Sequence, residues 1–439
     1  MLINFTLENW MSFRDKTRFT MVATREQQHG DRLTKLQKYR LRALPVAAIY
    51  GGNASGKSNF FRAIAFAEYF IIRGPLPGQR IAIEPFILDD EVRQQPVLFN
   101  FEILIENDIY ELSFSLSATE VLEEKLIKIT STSEKTLYHR KKGNSDPRLH
   151  SSITNKQRHK FAFEGTQNNQ LYLTNSVSQK LETFEPVYDW FAKTLLLISP
   201  DASFGSFEQF ITTESPLYKK MNSALPDFDT GIDKLGGEEI SLDSLQIPED
   251  FKQKIKDNIR EKAVINIDIN NEKIVITQQE NKLIVRKVYT YHRNVKGKNI
   301  KFEMRQESEG TQRIIDLLSA FFTLADSKKT RVYIIDELDR SLHYLLTREL
   351  LEMFLSHCNE SSRRQLLFTT HDLLLMDQSL FRRDEMWITE RKQDGNSELI
   401  NISEFEDARA DKDIRKSYLQ GRMGGVPNII TRQIFPEES

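Results

Sequence analysis

No segment constrains this chain more than Val46-Ala47-Ala48-Ile49-Tyr50 and the residues that follow it, Gly51-Gly52-Asn53-Ala54-Ser55-Gly56-Lys57-Ser58. An apolar run of strand length leads into a loop that fits G-x4-G-K-[ST] at every fixed position, and an apolar-periodic helix follows. Such a loop needs a buried strand before it and a helix after it. Its glycines let backbone N–H groups turn inward around a phosphate, and the helix adds the positive end of its dipole. Lys57 supplies a point charge to the β- and γ-phosphates, and the Ser58 hydroxyl is the expected Mg²⁺ ligand. Gly51, Asn53, Ala54, Ser55, Gly56 and Asn59 complete the expected phosphate-contacting set.

Hydrolysis needs a second piece. RVYIIDELDRSLH (331–343) is an apolar strand ending in Asp336-Glu337, with Asp336 expected on Mg²⁺ and Glu337 expected to polarise the attacking water. Carboxylates at the carboxyl edge of a parallel sheet suit a ligand site. QLLFTTHD (365–372) puts His371 just past another strand, within reach of a γ-phosphate. Glu307-Ser308-Glu309-Gly310-Thr311-Gln312-Arg313 opens a helix, and the Ser308 hydroxyl with the Gly310 backbone forms an anion site there. No further phosphate is available to it within the same subunit. The γ-phosphate held by another subunit is its expected partner.

Around these motifs the pattern predicts an antiparallel pair over 2–7 and 17–22, and strands of period two from 97 to 141. DWFAKTLLLISP (189–200) returns to a strand, 205–262 reads as mostly helical, and 263–304 reads as a meander. From 309 to 402 helices and strands alternate, which implies a parallel α/β sheet. The expected divisions are 1–90 and 301–439 as two halves of one nucleotide-binding core. Between them, 91–200 is an antiparallel β lobe with connecting helices and 201–300 a helical and β insertion. No heptad run is long enough for a coiled-coil arm. One cysteine, Cys358, rules out an internal disulfide and a multi-cysteine zinc site, and its setting is that of an inert helix-end residue. No apolar stretch approaches the ~20 residues that span a bilayer. With Asn4 and Glu8 in the opening MLINFTLENW, export is not expected, and the expected location is the cytoplasm.

The ordered set GGNASGKS, ESEGTQR, IIDELD and TTHD resembles the ABC-type ATPases of the SMC, RecF and OLD group. MLINFTLENWMSF, DELDRSLH and RKSYLQGRMGGVPNI (415–429) add a resemblance to its short, arm-less bacterial branch linked to anti-phage defence and restriction (RloA-like and AriA-like). Tyr344 departs from that branch, which often has Pro there. The resemblance implies an ABC-type P-loop ATPase with a mixed central sheet, an antiparallel β lobe and an inserted helical subdomain. Gly51, Gly56, Lys57 and Ser58 then correspond to Walker A, Asp336 and Glu337 to Walker B, Ser308 and Gly310 to the ABC signature, and His371 to the switch histidine. Asp339, Ser341 and His343 fall in the D-loop region. It implies ATP and Mg²⁺ as ligands and a head-to-tail homodimer, with higher oligomers left open.

Two function classes follow. One is a nucleotide-dependent sensor or scaffold that controls a separately encoded effector, a nuclease or toxin. The other is a RecF-like DNA-repair or DNA-remodelling ATPase that clamps double-stranded DNA directly. Net charge is -2, so no global basic excess announces nucleic acid. Local excesses exist: Arg140, Lys141, Lys142, Arg148, Lys156, Arg158 and Lys160 form one, and Arg286, Lys287, Arg293, Lys296, Lys298 and Lys301 another, interleaved with Tyr289, Tyr291 and His292. Phosphate contacts or solvated hairpin faces account for either. A fused nuclease would need a further acidic constellation, and the late Asp411-x-Asp413 reads as a helix start.

Overall fold

The computed structural model describes residues 1–202, 204, 207–259, 263–280, 282–326, 330–405 and 413–425. They form two compact units: one within Met1–Ser199, Lys329–Leu338 and Leu355–Ser439, the other within Pro200–Lys328 and Asp339–Phe354.

The first unit is built on a six-stranded sheet in the order Leu195–Ile198, Arg331–Ile335, Arg364–Thr369, Val46–Tyr50, Met386–Arg391, Ser397–Asn401. Its first five strands are parallel and the last is antiparallel, as expected of a mixed central sheet. Val46–Tyr50 is buried along its whole length, which is why its sequence is continuously apolar rather than alternating. In register, Ile335 lies opposite Phe368 and Thr369 opposite Ile49. The residues following all three strands therefore emerge at one edge, and those residues are the phosphate loop, Asp336-Glu337 and Thr370-His371.

A second six-stranded sheet, antiparallel throughout, runs Thr17–Thr20, Leu2–Glu8, Val97–Ile105, Asp108–Leu116, Val121–Ile129, Glu134–Lys141. The opening hairpin and the 97–141 meander are thus one sheet, joined by Leu2–Glu8 on Val97–Ile105. The helix Lys57–Ile72 lies between the two sheets, with Phe60, Phe61, Ala63, Ile64, Ala67, Phe70 and Ile71 buried. Phe60 meets Phe5 edge-on at 5.6 Å, and Phe70 meets Phe114 at 6.0 Å. On the other side Ala47 and Ile49 of the central sheet belong to the same core. The helix that follows the glycine loop is therefore held from both faces.

In the second unit Lys234–Ile240, Lys282–Arg293, Glu272–Gln279 and Val264–Ile269 form an antiparallel sheet, with Asn299–Glu303 also on Lys282–Arg293. Lys234–Ile240 corrects the mostly helical reading of 205–262: its pairing with Val285–Tyr291 makes it a strand, and the helices Pro216–Ala224 and Glu249–Asn258 stand on either side of it in sequence. The 18-residue helix Glu309–Asp326 carries the ESEGTQR segment at its start.

Cys358 is buried just past the helix Tyr344–Ser356, and burial pushes its thiol up to about 12, the inert state expected of it. Asp413 caps the helix Ile414–Leu419 by accepting from the Lys416 N–H at 3.2 Å. Asp411 and residues 426–429 lie outside the described residues. Among the described residues no helix is long and apolar enough to cross a membrane.

Candidate functional site

The loop Gly51–Gly56 owes its shape to side chains from two strands and a turn that the motif does not include. A β-carbon at Gly51, at φ +154, would stand 2.6 Å from the Thr389 carbonyl oxygen and 2.6 Å from Ser55 Oγ. One at Gly56, at φ +119, would stand 2.7 Å from Ser397 Oγ. Only glycine fits either place. Ser55 Oγ and Thr389 Oγ1 are 2.6 Å apart, Thr389 Oγ1 donates to the Tyr50 carbonyl at 3.1 Å, and Ser397 Oγ donates to the Ser55 carbonyl at 2.7 Å. Asn59 Nδ2 donates to Ser12 Oγ at 2.8 Å, fastening the helix start to the turn after the first strand. Asn53 and Ala54, at the loop's crest, are exposed.

Lys57 is buried, and its Nζ donates to the Gly51 and Gly52 carbonyls at 2.7 and 3.0 Å while lying 3.4 Å from His371 Nδ1. Asp336 is 4% exposed. Its Oδ1 accepts from Thr369 Oγ1 at 2.6 Å and lies 3.5 Å from Ser58 Oγ. Thr369 Oγ1 also accepts from the Glu337 N–H at 2.8 Å, so one hydroxyl fixes both acidic residues. Glu337 sits at φ +51, a left-handed conformation unusual for its type, of the kind concentrated at functional sites. His371 Nε2 is 3.9 Å from Glu337 Oε1. Lys57, Ser58, Asp336, Glu337 and His371, scattered over 315 positions of sequence (57 to 371), therefore share one place. Among the described residues no group of three or more His, Cys, Asp or Glu could hold a metal. A hydroxyl and a buried carboxylate 3.5 Å apart are nonetheless the sparse hard-oxygen set that Mg²⁺ takes, because it keeps waters and uses substrate phosphates for its other positions.

Ser308 and Gly310 lie in the second unit. Ser308 is exposed and caps its own helix, accepting from the Thr311 N–H at 3.1 Å and lying 2.8 Å from Thr311 Oγ1. A β-carbon at Gly310 would stand 2.7 Å from the Ser341 carbonyl oxygen, so the signature helix and the 339–343 segment pack backbone to backbone. Glu307 anchors the segment to the meander through Thr290 Oγ1 and through His292 Nε2, the latter at 2.7 Å.

Residues 46–377, well over half of the chain, match the AAA_21 family model, described as AAA domain, putative AbiEii toxin, Type IV TA system. The chain belongs to this family. The solved structures similar to this AAA_21 chain include the SMC head domain from Thermotoga maritima, at 12% identity over 91% of this chain and 98% of that one, with a TM-score of 0.34. They also include the SmcHead bound to the C-winged helix domain of ScpA, at 11% identity over 91% and 97%, with a TM-score of 0.39. Among curated proteins none matches the chain.

Sequence reasoning missed Thr369, Thr389, Ser397 and Ser12, lone hydroxyls whose only signal is a neighbour brought close by the fold. Thr369 had the nearest thing to a local clue, two residues before His371 in TTHD. The basic clusters also look different in three dimensions. Arg140 is buried and donates to the Gln170 carbonyl at 2.6 Å, while Lys141 and Lys142 pair with Glu123 and Glu120 of the neighbouring hairpin. Lys287 lies between Glu272 and Glu303, Arg293 pairs with Asp233, and Lys301 with Glu238. Among the described residues no carboxylate pairs with Lys296 or Lys298, at the turn Asn294–Lys298, where Val295 is fully exposed.

Proposed function

We propose that this AAA_21 chain is an Mg²⁺-dependent ATPase that works as a head-to-tail homodimer in the cytoplasm and whose nucleotide cycle controls a separately encoded effector, a nuclease or toxin, in an anti-phage or restriction-linked defence system. The observation that carries the catalytic part is the convergence of Lys57, Ser58, Asp336, Glu337 and His371 beside one glycine loop. The loop N–H groups and the Lys57 ammonium hold the phosphates. Ser58 and Asp336 would hold Mg²⁺, and the ion would supply charge neutralisation at the phosphoryl oxygens. Glu337, its backbone fixed by Thr369, orients the attacking water and takes its proton, and His371 senses the γ-phosphate. Ser308 and Gly310 complete the site of the second copy. The family description supports the effector reading, since it names a toxin–antitoxin system.

Mixing Lys57→Ala chains with Ser308→Arg chains tests this arrangement. In the heterodimer one composite site carries both lesions and the other carries neither, so two dead parents should recover partial ATP turnover. No recovery in heterodimers shown to form by native mass spectrometry would sink the two-chain site. Exposed Lys296 and Lys298 at the Asn294–Lys298 turn, with no carboxylate partner among the described residues, favour a second reading, a RecF-like clamp on double-stranded DNA. Charge reversal at Lys296 and Lys298 should then weaken DNA binding and flatten its salt dependence while sparing basal hydrolysis.

A further inference from the structure

At the other end of the central sheet from the phosphate loop lies a cleft of about 510 Å³, lined by Lys35, Lys38, Tyr39, Ser361, Arg363 and one carboxylate, Glu360, among others. Arg363 directly precedes the strand Arg364–Thr369, and Thr369 closes that strand at the nucleotide end. The strand's six residues separate the two places by roughly 17 Å at the usual rise per residue.

Arg363 is the anomaly in this cleft. Its Nη1 is shut off from solvent, and no hydrogen bond reaches it among the described residues. Lys35 pairs with Glu360 and Lys38 with Asp108, whereas Arg363 pairs with no carboxylate among the described residues. Burial alone acts on it, pushing its proton affinity down. A partly buried guanidinium without a counterion is costly, and such an orphan calls for a partner, water or an ion among them. The walls around it are rigid. The Lys35 N–H donates to the Glu360 carbonyl at 2.9 Å, and Thr34 Oγ1 donates to the Ser362 carbonyl at 2.6 Å. Tyr39 is pinned at its hydroxyl, which donates to the Ile129 carbonyl at 2.9 Å and accepts from the Ile109 N–H at 3.0 Å.

We propose that this cleft binds a phosphoryl oxyanion, with the planar guanidinium of Arg363 as its main partner and Lys35 and Lys38 at its rim. Guanidinium matches a phosphoryl group with two parallel N–H donors, and the two lysines, each already paired with a carboxylate, add N–H donors at the rim rather than net charge. The volume exceeds what bare phosphate fills, so the group arrives either free or carried on a small molecule such as a nucleoside.

The test uses the full chain carrying Lys57→Ala, so that the phosphate loop does not report. Its thermal midpoint should rise saturably with inorganic phosphate over chloride at matched ionic strength. Adding Arg363→Gln should weaken the apparent affinity about 10- to 100-fold. Lys35→Met, at a half-exposed side chain, should weaken it by a smaller factor and decides the matter if Arg363→Gln does not fold. Tighter saturation by AMP than by phosphate assigns a nucleoside-borne group, and equal saturation assigns free phosphate. The proposal is overturned by the absence of a saturable rise, or by curves in Arg363→Gln or Lys35→Met that coincide with the parent.

Discussion

The phosphate loop and the start of the helix Glu309–Asp326 both rest on glycines that leave no room for a β-carbon, yet the two places are built in different ways. At Gly51 and Gly56 the space is taken by Thr389 and Ser397, whose hydroxyls also bind the loop, and the result is a cradle in which Lys57 is buried. At Gly310 the space is taken by the Ser341 carbonyl, and Ser308 remains exposed, its side-chain bonds among the described residues running to Thr311 of its own helix. The first region is furnished from one chain. The second is rigid and open, as a surface completing another chain's site would be.

The largest expected effect tests the cradle. Lys57→Ala removes the buried ammonium and should raise the ATP dissociation constant by at least about 100-fold, from the loss of charge-assisted contacts worth about 3 kcal/mol or more. Titration with a fluorescent ATP analogue measures it, and near-normal affinity would remove the loop from the site.

Glu337→Gln separates holding from chemistry. ATP affinity should stay within a few-fold of the parent while turnover drops about 100- to 10,000-fold, the range for loss of a positioned general base. If turnover in a phosphate-release assay is unchanged, Glu337 serves its turn and not the water.

Gly310→Ala carries the comparison into the second region. A β-carbon 2.7 Å from the Ser341 carbonyl forces the backbones apart and should cost about 1–3 kcal/mol of stability, read from the denaturant midpoint. ATP affinity in the first unit should be untouched, whereas turnover should fall if the helix start completes a partner's site. Equal losses of affinity and turnover would erase the distinction between the two regions.

The smallest effect sharpens the cradle's support. Thr369→Val keeps the shape but deletes the bond to Asp336 at 2.6 Å and the acceptor of the Glu337 N–H. Leaving buried groups short of a partner should cost about 1–3 kcal/mol. A circular-dichroism melt that matches the parent would show that water replaces the hydroxyl.

The sequence by itself determined the chemistry and its local frame. G-x4-G-K-S, Asp336-Glu337 and TTHD are contiguous, so each motif carries its own strand and turn and could be read without a partner in space. The same holds for the meander strands, whose period of two is a local property. Only the tertiary structure decided what stands beside them. Ser12, Thr369, Thr389 and Ser397 are single hydroxyls with no pattern around them, and they become part of the site because sheet order brings their strands next to the loop. Leu2–Glu8 meets Val97–Ile105 across some ninety residues, and Lys234–Ile240 is a strand only because Lys282–Arg293 offers it a ladder. Lysines that look like a basic patch along the chain find glutamates on strands and turns that the fold brings near. Backbone pairing and charge pairing both depend on neighbours in space, and a linear pattern records only neighbours in sequence.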